Sequence, residues 1–226
     1  MRHGKKYRSA LKKYDGQASY DLQKAVETVK SLAYAKFDET VELSVKLNLK
    51  KSQTVRDTVV LPNQFKAEKR ILVFCKPEKE KEAQDAGAAF TGADDLINKI
   101  KGGWLDFDIA VATPDMMKDV GKLGMVLGRR GLMPNPKTGT VTFDLKGALA
   151  ELRKGRTEFR ADKTGVVHLA VGKISMPAEK VAENVQTVLT EVRRKRPADA
   201  KGIFIRTLSV ASTMGPGVWI TLKEDV

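Results

Sequence analysis

The side chains equipped for chemistry are few and scattered. The two histidines, His3 and His168, and the single cysteine, Cys75, are too far apart in sequence to form the closely spaced ligand sets of zinc sites. Cys75 ends the apolar run Ile71-Leu72-Val73-Phe74 and has no partner for an internal disulfide, so it is expected to be a buried, unreactive thiol. No Gly-x-Ser-x-Gly nucleophile elbow and no Gly-x-Gly-x-x-Gly dinucleotide fingerprint occurs. The paired acids Asp94-Asp95 sit in a helical pattern as ordinary solvated charges. Gly131-Leu132-Met133-Pro134-Asn135-Pro136-Lys137-Thr138 has the look of a phosphate loop, but Pro136 stands where the glycine before the lysine is needed, and proline has no amide to offer a phosphate. The expectation is a protein with no catalytic residue, no metal and no cofactor.

Charge points elsewhere. Lys and Arg total 41 against 28 Asp and Glu, a formal net charge of +13, and a chain this basic attracts polyanions. Nucleic acid is the first candidate and an anionic membrane face the second. No apolar stretch approaches the roughly 20 residues a membrane helix needs. The basic start Met1-Arg2-His3-Gly4-Lys5-Lys6-Tyr7-Arg8 has no apolar stretch behind it and does not read as a secretory signal, so the cytoplasm is expected.

Three segments combine cations, aromatics and unusual backbone. Lys36-Phe37-Asp38-Glu39-Thr40 joins a helix to a strand, and its Phe37 either meets RNA, as aromatics beside lysines do, or anchors the start of the strand in the core. Gly121, Gly124, Gly128 and Gly131 recur, with Arg129-Arg130 between the last two, and lead into Pro134, Pro136 and Lys137. A Gly-x-x-Gly turn with cations can bring backbone amides up to a phosphate chain, and the alternative is a plain glycine-rich connection. Thr213-Met214-Gly215-Pro216-Gly217 gives a tight turn with a hydroxyl and a thioether at its tip.

These segments need elements to hold them. Arg2 to Lys13 holds several cations and no acid, and reads as a basic arm or a frayed terminus. Leu22, Ala25, Val26, Val29, Leu32 and Ala33 make one face of a helix, with Ser19 as its cap. Val41, Leu43, Val45 and Leu47 alternate with polar residues as in a half-buried strand, and Thr58 to Leu61 forms a second. From Arg70 the texture changes. The continuous apolar strands Ile71 to Cys75 and Asp108 to Ala112 alternate with helices at Lys79 to Ala86, Asp94 to Lys101 and after Pro114, which implies parallel strands covered on both faces. After about Gly155 the half-buried texture returns: a hairpin of Thr157 to Arg160 and Val166 to Leu169, a long helix beginning at Pro177, and strands at Ile203 to Val210 and Val218 to Leu222. The expected fold is α/β and α+β in two domains. An α+β domain is built from residues 1–65 and 156–226, and a Rossmann-like α/β domain of residues 66–155 is inserted in it.

Lys36-Phe37-Asp38-Glu39-Thr40-Val41-Glu42, the segment Gly131 to Val141 and Ser212-Thr213-Met214-Gly215-Pro216, in that order, resemble the ribosomal protein L-one family of bacterial type. His3-Gly4-Lys5, Gly102-Gly103-Trp104, Ala112-Thr113-Pro114-Asp115 and Phe159 to Gly165 extend the resemblance over nearly the whole chain. The resemblance implies a structural constituent of the large ribosomal subunit, cytoplasmic and ribosome-associated. It implies that the terminal domain holds a 23S-type ribosomal RNA junction through Lys36, Phe37, Thr40, Thr207, Thr213, Met214 and Gly215, forming the mobile stalk beside the tRNA exit site. A secondary contact is expected at Arg129, Arg130 and Lys137. Further implied partners are the exit-site tRNA and the leader of the protein's own messenger RNA, whose translation it would repress. The chain departs from the family pattern at Asp57, Arg129 and Asn63-Gln64-Phe65, where the family usually has a glycine-bearing linker. Two other classes stay open: a dedicated translational repressor using the same RNA surface, and an α/β ligand-binding enzyme.

Overall fold

A computed structural model describes residues 4–50, 53–65, 69–153, 155–197 and 202–222. Arg2 and His3 of the basic start lie outside them, as do Lys51 and Ser52 of the polar stretch after the first long strand.

The chain divides into two compact units, one of Met1–Phe65 with Thr157–Val226 and one of Lys66–Arg156. In chain order the first unit begins with α1 (Lys5–Leu11), β1 (Ser19–Tyr20), α2 (Leu22–Leu32), β2 (Thr40–Leu47) and β3 (Arg56–Val59). The second unit follows with β4 (Ile71–Phe74), α3 (Pro77–Asp85), β5 (Phe90–Gly92), α4 (Asp94–Lys101), β6 (Ile109–Ala112), a 3-10 turn at Pro114–Met116, α5 (Met117–Gly121), α6 (Gly124–Arg129), a second 3-10 turn at Pro136–Thr138 and α7 (Leu145–Arg153). The chain then returns with β7 (Thr157–Arg160), β8 (Val166–Lys173), α8 (Ala178–Arg194), β9 (Ile205–Ser212) and β10 (Gly217–Ile220).

In the first unit five strands form a sheet in the order β1-β10-β9-β2-β8. β2 lies inside the sheet between β9 and the edge strand β8, antiparallel to both, with Val41, Leu43, Val45 and Leu47 buried on one face. That face packs against Ala25, Val26, Val29 and Leu32 of α2 and Val181, Val185, Val188 and Val192 of α8. The opposite face carries Thr40, Glu42, Ser44 and Lys46 of β2, all of them at least partly open to solvent. β3 and β7 pair as a separate ribbon, with Phe159 buried beneath it. Asn184 of α8, fully buried, accepts from the Asn63 amide (3.0 Å) and donates to the carbonyls of Asn63 (2.9 Å) and Val171 (2.8 Å). This fixes the chain just before it leaves for the second unit.

The second unit is a parallel sheet of order β5-β4-β6. Leu72 and Phe74 of β4 point to a core shared with α4, α5 and α6, while Ile71 and Val73 point to one shared with α3 and α7. Both faces are covered, which is why β4 is apolar at every position.

Several expectations are corrected. Ser19 does not cap α2: it is paired with Trp219 in β1, and Asp21 holds the cap position. The basic start is not wholly an arm, because Lys5–Leu11 is helical with Ala10 packed in the core. The strand expected from Ile203 to Val210 begins later, at Ile205, leaving out Ile203 and Phe204, and runs on to Ser212. The hairpin around Asp162-Lys163-Thr164-Gly165 has its turn, with the Asp162 carboxylate accepting from the amides of Thr164 and Val166 (2.8 Å each), but not its ladder. Beyond that turn a single bridge, Ala161↔Val167, joins the two arms among the described residues, since β7 pairs with β3 and β8 with β2. Arg156, expected with the terminal segments, groups with the second unit, where its guanidinium meets Glu151 at 2.6 Å.

Candidate nucleic-acid interface

The first and third segments meet. Thr40 opens β2 and Thr213 follows β9, and these strands are neighbours, with Val41 opposite Ser212. The Thr40 amide donates to the Thr213 hydroxyl (2.9 Å), and the Thr213 amide donates to the Thr40 carbonyl (3.0 Å). The Tyr34 hydroxyl donates to the Met214 carbonyl (2.6 Å). Residues 173 sequence positions apart are thereby held in one cluster of loops.

Phe37 is 56% exposed and Met214 50% exposed, although both are large and apolar. Phe37 is therefore not the core anchor that periodicity alone favours; the buried alternation begins at Val41. Lys36 and Thr213 are exposed, and Thr40 and Gly215 half-buried. Gly215 closes a turn, its amide donating to the Ser212 carbonyl (3.1 Å), and a Cβ there would lie 2.4 Å from the Ser212 hydroxyl oxygen. Asp38 is turned to structural use, its carboxylate accepting from the Ser175 amide (3.1 Å) and hydroxyl (2.9 Å). Lys173 donates to the Asp38 carbonyl (3.2 Å) and the Thr40 hydroxyl (2.9 Å), which places a cation within the cluster.

Thr207 lies apart from those loops, exposed on β9 opposite Lys46. It belongs to the open face of the sheet, where Trp219, Ser209, Ser44 and His168 stand in register across four strands. Trp219 is exposed, and the Ser44 hydroxyl and His168 Nδ1 are 3.0 Å apart. This flat face of hydroxyls, an imidazole and an indole was missed in the sequence. The alternation of β2, and of β9 from Leu208 onward, was the signal that could have found it.

The glycine-rich segment behaves differently. Its amides are consumed internally: Gly131 donates to Gly128, Leu132 to Leu127, Thr138 to Asn135 and Gly139 to Pro136. The Asn135 amide donates to the Thr140 hydroxyl (2.7 Å). Leu132 and Met133 pack on the core, and Thr142 donates to Ala112, extending the edge of β6. Of the two readings of the Gly-x-x-Gly turn, these bonds favour the plain glycine-rich connection, because the donors named already have partners. Arg129 and Arg130 are exposed and make no ion pair with described residues. Lys137 lies within the second 3-10 turn.

Among the described residues no group of His, Cys, Asp and Glu is placed to hold a metal ion, and no helix is long and apolar enough to cross a membrane. Cys75 is buried, and its thiol is pushed up by that burial and by the charge of Glu80, partly offset by the Gly92 amide and Lys79.

The ribosomal protein L1p/L10e family matches residues 29–216, most of the chain and all three segments. The chain belongs to this family. Among similar curated proteins, the large ribosomal subunit protein uL1 of Treponema denticola is 67% identical over 223 residues, covering 99% of both chains. The protein of the same name from Treponema pallidum is 59% identical over 225 residues, covering 100% of both. That of Borrelia hermsii is 59% identical over 217 residues, covering 96% of this chain and 97% of the relative. L1 family members are ribosomal proteins, structural and not enzymatic, which removes the ligand-binding enzyme from consideration.

Proposed function

We propose that this chain is a structural constituent of the large ribosomal subunit, acting with the ribosome in the cytoplasm, and that its terminal unit binds a ribosomal RNA junction through the cluster of Phe37, Met214 and their neighbours. One observation carries the placement. Two large apolar side chains from opposite ends of the chain stand exposed on loops that are hydrogen-bonded to each other. Exposed apolar groups on a braced scaffold mark a contact surface. Here the surface is flanked by Lys36 and Lys173 and by the hydroxyls of Thr40 and Thr213, which suit ribose and phosphate oxygens. Gly215 lets the turn lie close to its own Ser212, and Thr207 extends the contact along the open sheet face.

The Treponema and Borrelia relatives carry the name of a large-subunit protein, and this supports the ribosomal assignment. On this reading the protein forms the mobile stalk at the exit site and assists release of the outgoing tRNA. Arg129, Arg130 and Lys137 of the inserted unit supply a second contact that is electrostatic and not sequence-specific. Binding to the leader of its own messenger uses the same terminal surface, so that free protein represses its own synthesis. Cosedimentation with large subunits, combined with affinities for 23S-type junction fragments and messenger leader at one salt concentration, tests the reading. Tighter binding to the ribosomal fragment is expected. Absence from large subunits together with exclusive binding to the leader would favour a dedicated repressor.

A further inference from the structure

We infer that Glu39 is a positioning residue for RNA recognition, its buried carboxylate clasping the loop that bears Phe37 to the turn that bears Met214. The inference rests on the terminal-unit site proposed above and adds how that site is held.

Glu39 is 1% exposed. One carboxylate oxygen accepts from the amides of Tyr34 (3.2 Å) and Ala35 (2.8 Å), and the other from the amide of Met214 (3.1 Å). The Ser212 hydroxyl lies against the same carboxylate and favours its charge, without making an aligned hydrogen bond. No lysine or arginine among the described residues forms an ion pair with it. A buried carboxylate without a counter-ion is costly, and this one is tolerated because three backbone dipoles converge on it. Burial alone would raise its pKa, but the Ser212 hydroxyl and the three amides outweigh burial and leave it below the ordinary value, so the clasp is charged at neutral pH.

The geometry does two things at once. By reaching back to Tyr34 and Ala35, Glu39 closes a short loop over its own backbone, with Lys36, Phe37 and Asp38 between the fastened points. By reaching across to Met214 it fixes the turn after β9 to that loop, a link the Tyr34 hydroxyl repeats at the Met214 carbonyl. The backbones are held from the inside while the Phe37 and Met214 side chains face solvent. Groups ordered before binding lose less entropy on binding, so the clasp raises affinity without touching RNA.

The test uses the full chain and a 23S-type junction fragment. In Glu39→Gln one end of the side chain becomes an NH2 group that cannot accept, so either the Tyr34 and Ala35 amides or the Met214 amide lose their acceptor. The expected result is a rise in Kd of about tenfold or more, on the scale of a lost charge-assisted hydrogen bond, with Kd referred to the folded fraction. Repeated in the Phe37→Ala/Met214→Ala background, the same substitution should change Kd by less than about twofold, because nothing is left to position. A merely structural role would give equal losses in both backgrounds, and that result overturns the inference, as does wild-type affinity for Glu39→Gln. If Glu39→Gln does not fold, Tyr34→Phe, which removes only the hydroxyl brace, must show the same dependence on background. Should Phe37→Ala/Met214→Ala itself bind like wild type, the site reading falls, and this inference with it. Loss in that double variant with no effect of Glu39→Gln sinks the clasp alone.

Discussion

Phe37→Ala separates the contact role of this ring from a packing role. A core phenylalanine truncated to alanine costs about 3–5 kcal/mol of stability. Phe37 is 56% exposed and forms no part of the buried clusters, so most of that penalty is absent and a loss under about 1 kcal/mol is expected. If the ring packs on RNA, its removal weakens binding by about 1–3 kcal/mol, roughly 5- to 150-fold in Kd. Phe159, 1% exposed under the β3 and β7 ribbon, is the internal contrast: Phe159→Ala should lose the full core penalty. Urea denaturation gives the stability of each variant, and filter binding to a 23S-type junction fragment gives the affinity of the folded protein. The expected pattern is a stable Phe37→Ala that binds poorly and an unstable Phe159→Ala whose folded fraction binds normally. A Phe37→Ala protein that loses about 3 kcal/mol or more of stability, the core-type penalty, or that keeps wild-type affinity, would refute the reasoning.

Asn184→Ala should cost about 1–3 kcal/mol in urea denaturation, since it strips partners from the Asn63 amide and carbonyl and from the Val171 carbonyl, while affinity of the folded protein stays unchanged; an unaltered midpoint would contradict it. Affinity for RNA should fall linearly in log salt, and removing Arg129 or Arg130 should flatten the slope by about 0.7–0.9 for each phosphate that the side chain neutralises; an unchanged slope in the double Arg variant would show that the inserted unit does not reach phosphate there. The Glu39 carboxyl is held below its ordinary value in the fold despite burial, so its contribution is present above the ordinary glutamate range and is lost as pH falls through the depressed folded value. Stability measured by urea midpoint from neutral to acid pH should therefore fall less steeply in Glu39→Gln than in wild type; parallel curves would argue against the shift.

Periodicity made the long elements legible. The faces of α2 and α8 and the alternation of β2 are written in residues that recur at 3.6 or 2 positions, and the structure buries most of those residues. The apolar run of β4 likewise announced a strand covered on both sides. Short elements were not legible, because partners far away in sequence define them. β1 is two residues made a strand by Trp219 and Ile220, and β5 is three residues made a strand by Leu72 to Phe74. The β7 and β8 hairpin misled for the same reason: a good local turn says nothing about which longer strand each arm will join. The exposure of Phe37 was hidden because its segment also fits the start of a strand, and only the bonds from Glu39 back to Tyr34 and Ala35 show that the chain loops there first. In the Gly131 to Val141 segment the glycines and cations were visible, but the use of Thr140 to bind the Asn135 amide left no mark in composition.

Dividing the chain tests most directly whether the primary RNA site lies in the terminal unit. Residue 65 is joined to residue 157 by a short glycine linker, and the inserted unit of residues 66–156 is expressed separately, following the two compact units. With folding of both established by circular dichroism, each is titrated by filter binding against the same 23S-type junction fragment at one salt concentration. The prediction is that the joined terminal unit keeps most of the full chain's affinity while the inserted unit binds weakly. Tight binding by the inserted unit, with a folded terminal unit that does not bind, would contradict the placement of the site.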